Sequence, residues 1–589
     1  MRKAIVLFII LSAFSVCSGD IITVDDDGPA DFNNIQAAID IANTGDIIIV
    51  QPGTYVGDGN HDIDFLGKAI TVRSIDPNNP NIVADTVIDC NGSEIEPHRA
   101  FYFHSDETAD SVVDGLTIVN GYSPPEQYEN QTYTFWGGGA ILCYNSSPTI
   151  SNCCFLNNQA AHYGGAVYCS DSDSLISRCI FTNNVAHTGG AISCRSGSPV
   201  VENCIIRNNE AVGYVEGWGR NLGGGIYSIY GLTIINNCRI TGNFAESAGG
   251  GVCTQDVDSM ITNCTIFGNT SPLGGAIYCG ELSYPSIDNC ILWGNEAING
   301  PEIAMCSMDW GSWLSVSYSN VQGGQAAIYD KDILDWGEGN IDVDPLFADA
   351  DANDFHLQSQ AGRWDANSQS WVKDANTSPC IDAGDPNSDW TLELWPHGQR
   401  INMGAYGGTP QGSMSLSTAG NIADLDNDGD VDYNDLKLFT GKWPIEQVLL
   451  AEDLDRNGEV NFKDYAIFGR EWFNESLGEP PMTYEITQCG GGILAVGLDQ
   501  TRFTVTVEGN YIHFEDIMKA NCCATELWLE MYVYEDEIII YEKEYGGYCY
   551  CICHYPIEAD IGPFESGTYT LGVYEDYGGL IGTTTVIIE

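Results

Sequence analysis

Two twelve-residue segments of the chain, 424–435 and 453–464, carry side-chain oxygens at spacings that suit a cation. They read "DLDNDGDVDYND" and "DLDRNGEVNFKD". In both, oxygen-bearing side chains occupy positions 1, 3, 5, 9 and 12, and glycine at position 6 allows a sharp turn. The second segment begins 29 residues after the first. The pattern predicts two calcium loops, because an Asp-rich turn alone would not account for two aligned copies.

Aspartate at position 12, together with the duplication, resembles a dockerin module, which residues 421–475 would form as a small α-helical domain. The resemblance implies calcium as cofactor, with Asp430 and Glu459 binding through their backbone carbonyls. The implied ligands are Asp424, Asp426, Asp428, Asp430, Asp432 and Asp435 for one ion, and Asp453, Asp455, Asn457, Glu459, Asn461 and Asp464 for the other. A dockerin also implies a cohesin-like protein partner. Tyr433 and Phe462 stand at position 10, where cellulosomal dockerins have small hydroxyl residues. The resemblance therefore supports calcium binding more strongly than it supports a cohesin-like partner.

A repeat of about 25 residues supplies the element that must position any further site. Double glycines and mid-repeat cysteines recur with steps of 25 or 26 residues, apart from one step of 34 that holds a nine-residue insertion at 213–221. The double glycines begin at Gly138, Gly164, Gly189, Gly223, Gly249 and Gly274, and the cysteines are Cys153, Cys179, Cys204, Cys238, Cys264 and Cys290. Short β-rich stretches at this period predict a solenoid of stacked coils.

Each repeat divides into three predicted strands. In one copy Val167 and Cys169 point inward and alternate with Tyr168 along the first strand. Arg178 precedes the third strand, at a bend that suits the left-handed backbone conformation. The other copies have asparagine there, namely Asn152, Asn203, Asn237, Asn263 and Asn289. Stacked asparagine side chains can also hydrogen-bond from coil to coil.

Three strands per coil and in-register stacking resemble the pectate-lyase-like superfamily of right-handed parallel β-helices, over residues 20–330. The predicted fold is therefore all-β. An amphipathic segment with Phe32, Ile35 and Ile39 reads as a helical cap at the N-terminal end, followed by a strand at 47–50. Residues 331–412 are interpreted as the terminal coils and cap of the β-helix.

Most of the 22 cysteines are predicted to be unpaired core thiols. Cys143, Cys169, Cys194 and Cys279 would form one inward column, in which Ser228 and Thr254 fill the same slot, and the mid-repeat cysteines would form another. Stacked neighbours lie about 4.8 Å apart with parallel Cβ directions, which is poor geometry for a disulfide. Buried cysteine acting as a small hydrophobic residue is favoured over a disulfide scaffold.

The resemblance to pectate-lyase-like proteins implies a substrate groove along the outside of the first strand of each coil. Aromatic faces could stack there on sugar rings, with the double glycines as the groove floor. The candidate groove residues are Trp136, His162, Tyr168, His187, Arg195, Trp218, Arg220, Tyr227 and Tyr278. The alternative is that the glycines only make tight turns and the aromatic residues are scattered.

No catalytic residue can be assigned, and whether the chain is an enzyme stays open. A β-elimination lyase needs a base and a cation, yet residues 137–310 contain no lysine and only five arginines. Carboxylate pairs such as Asp171 with Asp173, or Asp256 with Asp258, could serve a glycoside hydrolase. Sequence-adjacent acidic residues are more commonly solvated turns.

Residues 482–589 alternate like strands and are predicted to form a Cys-rich β-sandwich. Its six cysteines are Cys489, Cys522, Cys523, Cys549, Cys551 and Cys553. Disulfides are favoured in a small exported domain, and a metal cluster that includes His554 is the alternative. The pairing cannot be read from the sequence.

The N-terminal residues and the overall charge indicate where the protein works. Residues 1–19 have the layout of a secretory signal peptide, with a lipid-modified Cys17 as the alternative. No other long apolar segment predicts a transmembrane helix, and a formal net charge of −60 disfavours nucleic acid as partner. We therefore predict an extracellular or cell-surface calcium-binding β-helix protein that engages polysaccharide, with lyase or glycosidase activity as one hypothesis. The competing hypothesis is a non-catalytic surface or assembly scaffold with the dockerin as connector.

Overall fold

Two compact units, residues 1–469 and 470–589, make up the chain. The computed structural model describes residues 19–124, 137–213, 219–306, 312–330, 333–417 and 419–472, and then eight strands between residues 482 and 588. Several predicted features therefore lie outside the described residues. They are residues 1–18 of the predicted signal peptide, Trp136, Trp218, and the C-terminal cysteines other than Cys553.

The first coils contain short strands and two helices. They are β1 (Ile21–Val24), α1 (Ile35–Ile41), β2 (Ile47–Val50), β3 (Gly53–Tyr55), β4 (Ile63–Asp64), β5 (Thr71–Ser74), α2 (Pro80–Asp85), β6 (Thr86–Asp89), β7 (Phe101–Phe103), β8 (Val112–Asp114), β9 (Thr117–Val119) and β10 (Tyr122–Ser123). Helix α1 is capped by the Asn34 side chain, which accepts from the Ala37 amide, and it buries Ile35 and Ile39. The predicted N-terminal helix and the strand after it are confirmed.

The repeat region consists of strands. They are β11 (Ile141–Tyr144), β12 (Thr149–Ser151), β13 (Cys154–Leu156), β14 (Gln159–Tyr163), β15 (Val167–Ser170), β16 (Leu175–Ser177), β17 (Ile180–Thr182), β18 (Val185–Thr188), β19 (Ile192–Arg195), β20 (Val200–Glu202), β21 (Ile205–Arg207), β22 (Glu210–Ala211), β23 (Ile226–Asn236), β24 (Arg239–Thr241), β25 (Phe244–Ala245), β26 (Val252–Thr262), β27 (Thr265–Phe267), β28 (Ile277–Cys279), β29 (Ser286–Asp288), β30 (Ile291–Trp293), β31 (Ile303–Met305), β32 (Leu314–Ser317), β33 (Asn320–Val321) and β34 (Leu334–Trp336).

These strands stack in parallel and in register from coil to coil. A nineteen-stranded sheet holds the first and second strands of the coils, a ten-stranded sheet holds the third strands, and a five-stranded sheet holds a short fourth strand that sequence reasoning did not predict. In the first strands Cys143 pairs with Cys169, and Cys169 pairs with Cys194. The predicted inward cysteine column is confirmed, and its members are buried free thiols.

The predicted bends before the third strands are also confirmed. Arg178 and the five asparagines all have positive φ, between 48° and 55°. The mid-repeat cysteines that follow are buried free thiols as well, and the Cys264 amide lies 3.3 Å from the Cys290 sulfur of the next coil. Ser319 continues this column, because the Cys290 amide donates to its hydroxyl.

After the last coil the chain turns back along the ten-stranded sheet. Its elements are 3₁₀ helices at Gly324–Ala327 and Ala350–Ala352, and strands β35 (Phe347–Asp349), β36 (Asp354–Leu357), β37 (Arg363–Asp365) and β38 (Ser370–Val372). Asn237 Nδ2 donates to the carbonyl of Gly407, at 2.8 Å, and Arg239 Nη1 donates to the Tyr406 hydroxyl, at 2.8 Å. Part of the segment predicted as terminal coils and cap thus packs on the side of the solenoid.

The duplicated acidic segments form two helices joined by a short ribbon. The elements are α3 (Tyr433–Gly441), β39 (Ile445–Glu446), β40 (Glu459–Val460) and α4 (Phe462–Trp472). Phe439 and Phe468 stack with ring centroids 5.3 Å apart and are fully buried. Among the described residues, no helix is long and apolar enough to cross a membrane.

In the part of the second unit that the structure describes, eight strands form two four-stranded sheets. They are β41 (Met482–Ile486), β42 (Thr504–Glu508), β43 (Tyr511–Asn521), β44 (Ala524–Tyr534), β45 (Glu537–Gly546), β46 (Ile552–Ile561), β47 (Gly567–Glu575) and β48 (Leu580–Ile588). All pairings are antiparallel except that of β45 with β47. One apolar cluster contains Phe514 from the first sheet and Ile540 and Val573 from the second. The β-sandwich interpretation stays a prediction.

Candidate functional site

The double glycines are required by the backbone of the coils. Gly164 has a φ of +59°, and a Cβ there would lie 2.1 Å from the carbonyl oxygen of Val167. A Cβ on Gly165 would lie 2.1 Å from the carbonyl oxygen of Gly190 in the next coil. The first glycine therefore makes a tight turn and the second lets adjacent coils approach. This finding favours the tight-turn alternative over the groove floor.

The tyrosines expected in the groove are buried. Tyr168, Tyr227 and Tyr278 occupy one outward column of the first strands, yet they are only 5%, 5% and 6% exposed. Tyr227 and Tyr278 belong to a small apolar cluster with Leu222, which lies in the stacked turns leading into the strands. The prediction that these three rings face a ligand is wrong for this structure, because the preceding turns fold over them.

The two candidate histidines are also covered, whereas the two arginines are accessible. His162 and His187 are each 3% exposed, and burial lowers the pKa of His162 to about 4 and also lowers that of His187. Because they are buried, neither histidine can contact a glycan directly in this structure. Arg195 and Arg220 are exposed.

The accessible part of this face lies beside the buried column. We define the front row as Tyr144, Arg195 and Tyr230, which follow one another at the ends of the first strands: Tyr144 pairs with Ser170, Ser170 with Arg195, and Arg195 with Ile229. Tyr144 is half-buried, Arg195 is exposed and Tyr230 is 47% exposed. Arg195 interacts electrostatically with Tyr230. These side chains present aromatic faces, hydroxyls and a guanidinium to solvent.

The candidate pair Asp171 and Asp173 lies in the turn after β15, whereas Asp256 and Asp258 lie within β26. Asp171 and Asp256 have left-handed backbone conformations, with φ of 50° and 49°. Asp173 Oδ1 accepts a hydrogen bond from the Ser198 amide of the next coil, at 2.6 Å. Asp173 thus has a role in the turn that needs no substrate.

A buried asparagine ladder runs through the solenoid at positions that sequence reasoning missed. Its members are Asn158, Asn184, Asn209, Asn243, Asn269 and Asn295. Each Nδ2 donates to the Oδ1 of the next member at 2.9 or 3.0 Å. The predicted coil-to-coil bonding therefore occurs at the second bend of each coil, where the sequence repeats Asn-Asn or Gly-Asn. That repeated dipeptide is the signal that could have located the ladder.

Glu302 ends the ladder. The Asn295 amide groups donate to its carboxyl, from Nδ2 at 2.5 Å and from the backbone nitrogen at 3.3 Å. Glu302 is 2% exposed, and burial raises its pKa to about 7. Its protonation state therefore changes near neutral pH.

The two acidic loops have the same internal hydrogen bonds. Asp424 accepts from the amides of Asp428 and Gly429, at 3.2 and 3.1 Å. Asp453 accepts from the corresponding amides of Asn457 and Gly458, at 3.0 and 2.7 Å. The glycines, at position 6 of each loop, have φ of +102° and +90°.

The last aspartate of each loop is fully buried and closes it. Asp435 accepts from the amides of Asp426 and Asp432 at 3.1 and 2.7 Å, and Asp464 accepts from those of Asp455 and Asn461 at 3.0 and 2.8 Å.

Three carboxylates converge in each loop. Oxygens of Asp424, Asp426 and Asp435 lie within 4.8 Å of one another, as do those of Asp453, Asp455 and Asp464. Burial, and then the neighbouring carboxylates, raise the pKa of Asp424 to about 6. Concentrated negative charge of this kind is costly without a cation, so the residues present fit two calcium ions.

Comparisons with known proteins bear on the fold. Residues 34–243 match the family model "Right handed beta helix region", residues 316–384 match "Disaggregatase related", and residues 263–280 match a "Chlamydia polymorphic membrane protein repeat". The first match confirms the predicted right-handed parallel β-helix. No curated protein matches the chain.

Two solved structures resemble the chain distantly. One is the pectate lyase Pel9A, at 14% identity and a TM-score of 0.38, covering 66% of this chain and 97% of that one. The other is the PL6 family alginate lyase AlyGC, at 11% identity and a TM-score of 0.22, covering 58% of this chain and 56% of that one. Similarities this low do not indicate what this chain binds.

Proposed function

We propose that the protein is an exported, calcium-binding β-helix protein that engages an extracellular polysaccharide along the front row. The observation that carries the proposal is the row itself, in which Tyr144, Arg195 and Tyr230 follow one another along the coil axis and reach solvent. Adjacent coils lie about 4.8 Å apart, so Tyr144 and Arg195, which have Ser170 between them, are separated by about twice that distance. Tyr230 directly follows Ile229, the register partner of Arg195 in the next coil. A row that extends along several coils suits a ligand that is itself a chain of repeated rings.

The charge of the protein limits which polysaccharide fits. With a formal net charge of −60, the protein repels an anionic chain at long range, and Arg195 offers only a local attraction. A neutral glycan should therefore bind without added cations. An acidic glycan should bind only at raised ionic strength or with calcium as a bridge.

Binding of the full chain to a panel of neutral and acidic glycans tests this proposal. Arg195→Ala and Tyr230→Ala should each weaken binding, because they remove a hydrogen-bonding group and a stacking face. Arg207→Ala is the matched control, since this half-buried arginine lies on the ten-stranded sheet. Equal affinity of all three variants, or no binding to any glycan, would contradict the proposal.

We also propose that the acidic loops bind two calcium ions through the ligands that the dockerin resemblance implies. The convergence of three carboxylates in each loop supports this. Calorimetry on the full chain should show two calcium ions bound. Asp435→Asn and Asp464→Asn should each remove one ion, because each replaces a buried ligand. Unchanged stoichiometry in both variants would argue against these sites, and the cohesin-like partner stays a prediction.

Burial of the tyrosine column favours the second hypothesis, a non-catalytic scaffold whose dockerin-like module serves as connector. The two hypotheses differ in their products. A lyase releases unsaturated uronates and a hydrolase releases reducing ends, whereas a scaffold releases neither from a glycan that it binds. Sequencing the N-terminus of the protein recovered outside the cell tests export, with cleavage expected near Gly19.

A further inference from the structure

Two histidines and an aspartate meet where the chain enters the first strands of two neighbouring coils. His61 and Asp62 directly precede β4, and His98 lies shortly before β7, which pairs in parallel with β4. We call these three residues the histidine cluster. His61 and His98 are 37 positions apart in the chain, so their proximity is not visible in the sequence.

The ligand atoms of the histidine cluster converge. Nδ1 of His61 lies 3.0 Å from Oδ2 of Asp62, and Nδ1 of His98 lies 2.6 Å from that same oxygen. The two imidazole rings are 3.8 Å apart between centroids, at an interplanar angle of 33°. Two ring nitrogens thus face one carboxylate oxygen from neighbouring coils.

The surrounding backbone fixes the cluster. Asp62 has a φ of 53°, and its amide donates to the Arg99 carbonyl at 2.6 Å. Its second oxygen, Oδ1, accepts from the Arg99 amide at 3.1 Å, so that Oδ2 remains directed at the histidines. The His98 carbonyl accepts from the Tyr122 amide at 2.7 Å. Hydrogen bonds of this kind orient the residues that hold a metal.

Solvent reaches the cluster from one side. The side chains of His61, His98 and Asp62 are 12%, 29% and 49% exposed. An ion held by the three would therefore be partly shielded and would keep an open position for water or a ligand. Two imidazole nitrogens beside one carboxylate, in a strongly acidic protein, provide a net attraction for a divalent cation.

We propose that His61, Asp62 and His98 form a site for a transition metal of the zinc class, separate from the calcium loops. Two nitrogens and one oxygen suit zinc, whereas calcium takes oxygen ligands almost exclusively. The metal binds through Nδ1 of each histidine and Oδ2 of Asp62. These three ligands leave the fourth tetrahedral position open.

Cobalt(II), a visible probe for zinc, tests the site in the full chain. Excess calcium is added first, so that the acidic loops do not take up cobalt. We expect tetrahedral absorption bands without a sulfur-to-cobalt charge-transfer band, and their loss when zinc is added. His61→Ala and His98→Ala should weaken cobalt binding by roughly 10- to 100-fold or more.

His104→Ala is the matched control. This residue directly follows β7, at the opposite end of the strand from His98. Its Nε2 lies 3.2 Å from Oδ2 of one carboxylate, that of Asp64. It should leave the bands unchanged, and circular dichroism should show that all variants fold. Absence of the bands in the native protein would overturn the proposal and leave the cluster as a hydrogen-bonded group. Equal bands in His61→Ala, or a sulfur charge-transfer band, would likewise overturn it by assigning the metal to other residues.

Discussion

The buried asparagine ladder should make a large contribution to stability, and Asn209 in its middle is the position to test. Its Oδ1 accepts from the backbone nitrogen and Nδ2 of Asn184, both at 2.9 Å. Its Nδ2 donates to the Phe181 and Arg207 carbonyls and to Oδ1 of Asn243. Asn209→Ala removes all five interactions at a site with no access to solvent.

The expected loss of stability depends on which hydrogen bonds the partner atoms of Asn209 retain in the variant. Nδ2 of Asn184 retains a bond to the Phe155 carbonyl, and Oδ1 of Asn243 retains the residue 209 amide. The backbone amide of Asn184 retains no partner. A buried unsatisfied donor costs about 1–3 kcal/mol and each other lost bond about 0.5–1.5 kcal/mol. Asn209→Ala should therefore lower the free energy of unfolding by roughly 3–9 kcal/mol.

Native-state hydrogen exchange gives the sharpest measurement, because the Asn184 amide itself loses its acceptor. Its exchange should become at least about 100-fold faster, together with a lower denaturation midpoint. Asn208→Gly is the matched control, since Asn208 has a φ of 55° and later coils have Gly242, Gly268 or Gly294 there. The control should change stability by less than about 1 kcal/mol. Equal effects of the two variants would refute the role of the ladder.

Three further predictions concern groups inside the solenoid. Burial raises the pKa of Glu302 from an ordinary 4.5 to about 7, so folding favours its protonated form. Relative to Glu302→Gln, the free energy of unfolding should fall by about 3 kcal/mol between pH about 4.5 and about 7 and then stay level. Parallel stability curves of the two proteins from pH 4 to 8 would contradict this. Gly164→Ala should lower the melting temperature more than Gly268→Ala, because both glycines have left-handed φ but only the first lacks space for a Cβ. Cys169 should resist alkylation in the folded protein and react fully after unfolding without reductant; a recovered disulfide would disprove the free-thiol column.

Much of the fold could be predicted because the residues that set it recur locally. The positive φ of the asparagines at the first bend follows from their residue type, and that of Arg178 from its equivalent place in the repeat. The inward cysteine column follows from strand alternation. Ser228 at the same position of its coil indicated unpaired thiols, because serine can replace a buried thiol but not half of a disulfide. The fourth short strand was missed, since two-residue strands such as Glu210–Ala211 have too little pattern to detect.

The candidate site was predicted less well, for a physical reason. Strand alternation correctly placed Tyr168 and Tyr227 on the outer side of their strands, yet it could not show that Leu222 and the stacked turns cover that side. Alternation reports the direction of a side chain and says nothing about what lies beyond it. The convergence of His61 and His98 likewise could not be predicted from the sequence, because it depends on the pairing of β4 with β7.

The sequence by itself determined the coil period, the bends and the spacing of the acidic residues in the two loops, because each depends on residues within one repeat or one loop. Only the tertiary structure decided which outer faces reach solvent, where the asparagine ladder runs and how it ends at Glu302. It also brought His61 and His98 onto one carboxylate. These features arise from the register between coils, in which residues 25 to 40 positions apart in the chain become neighbours.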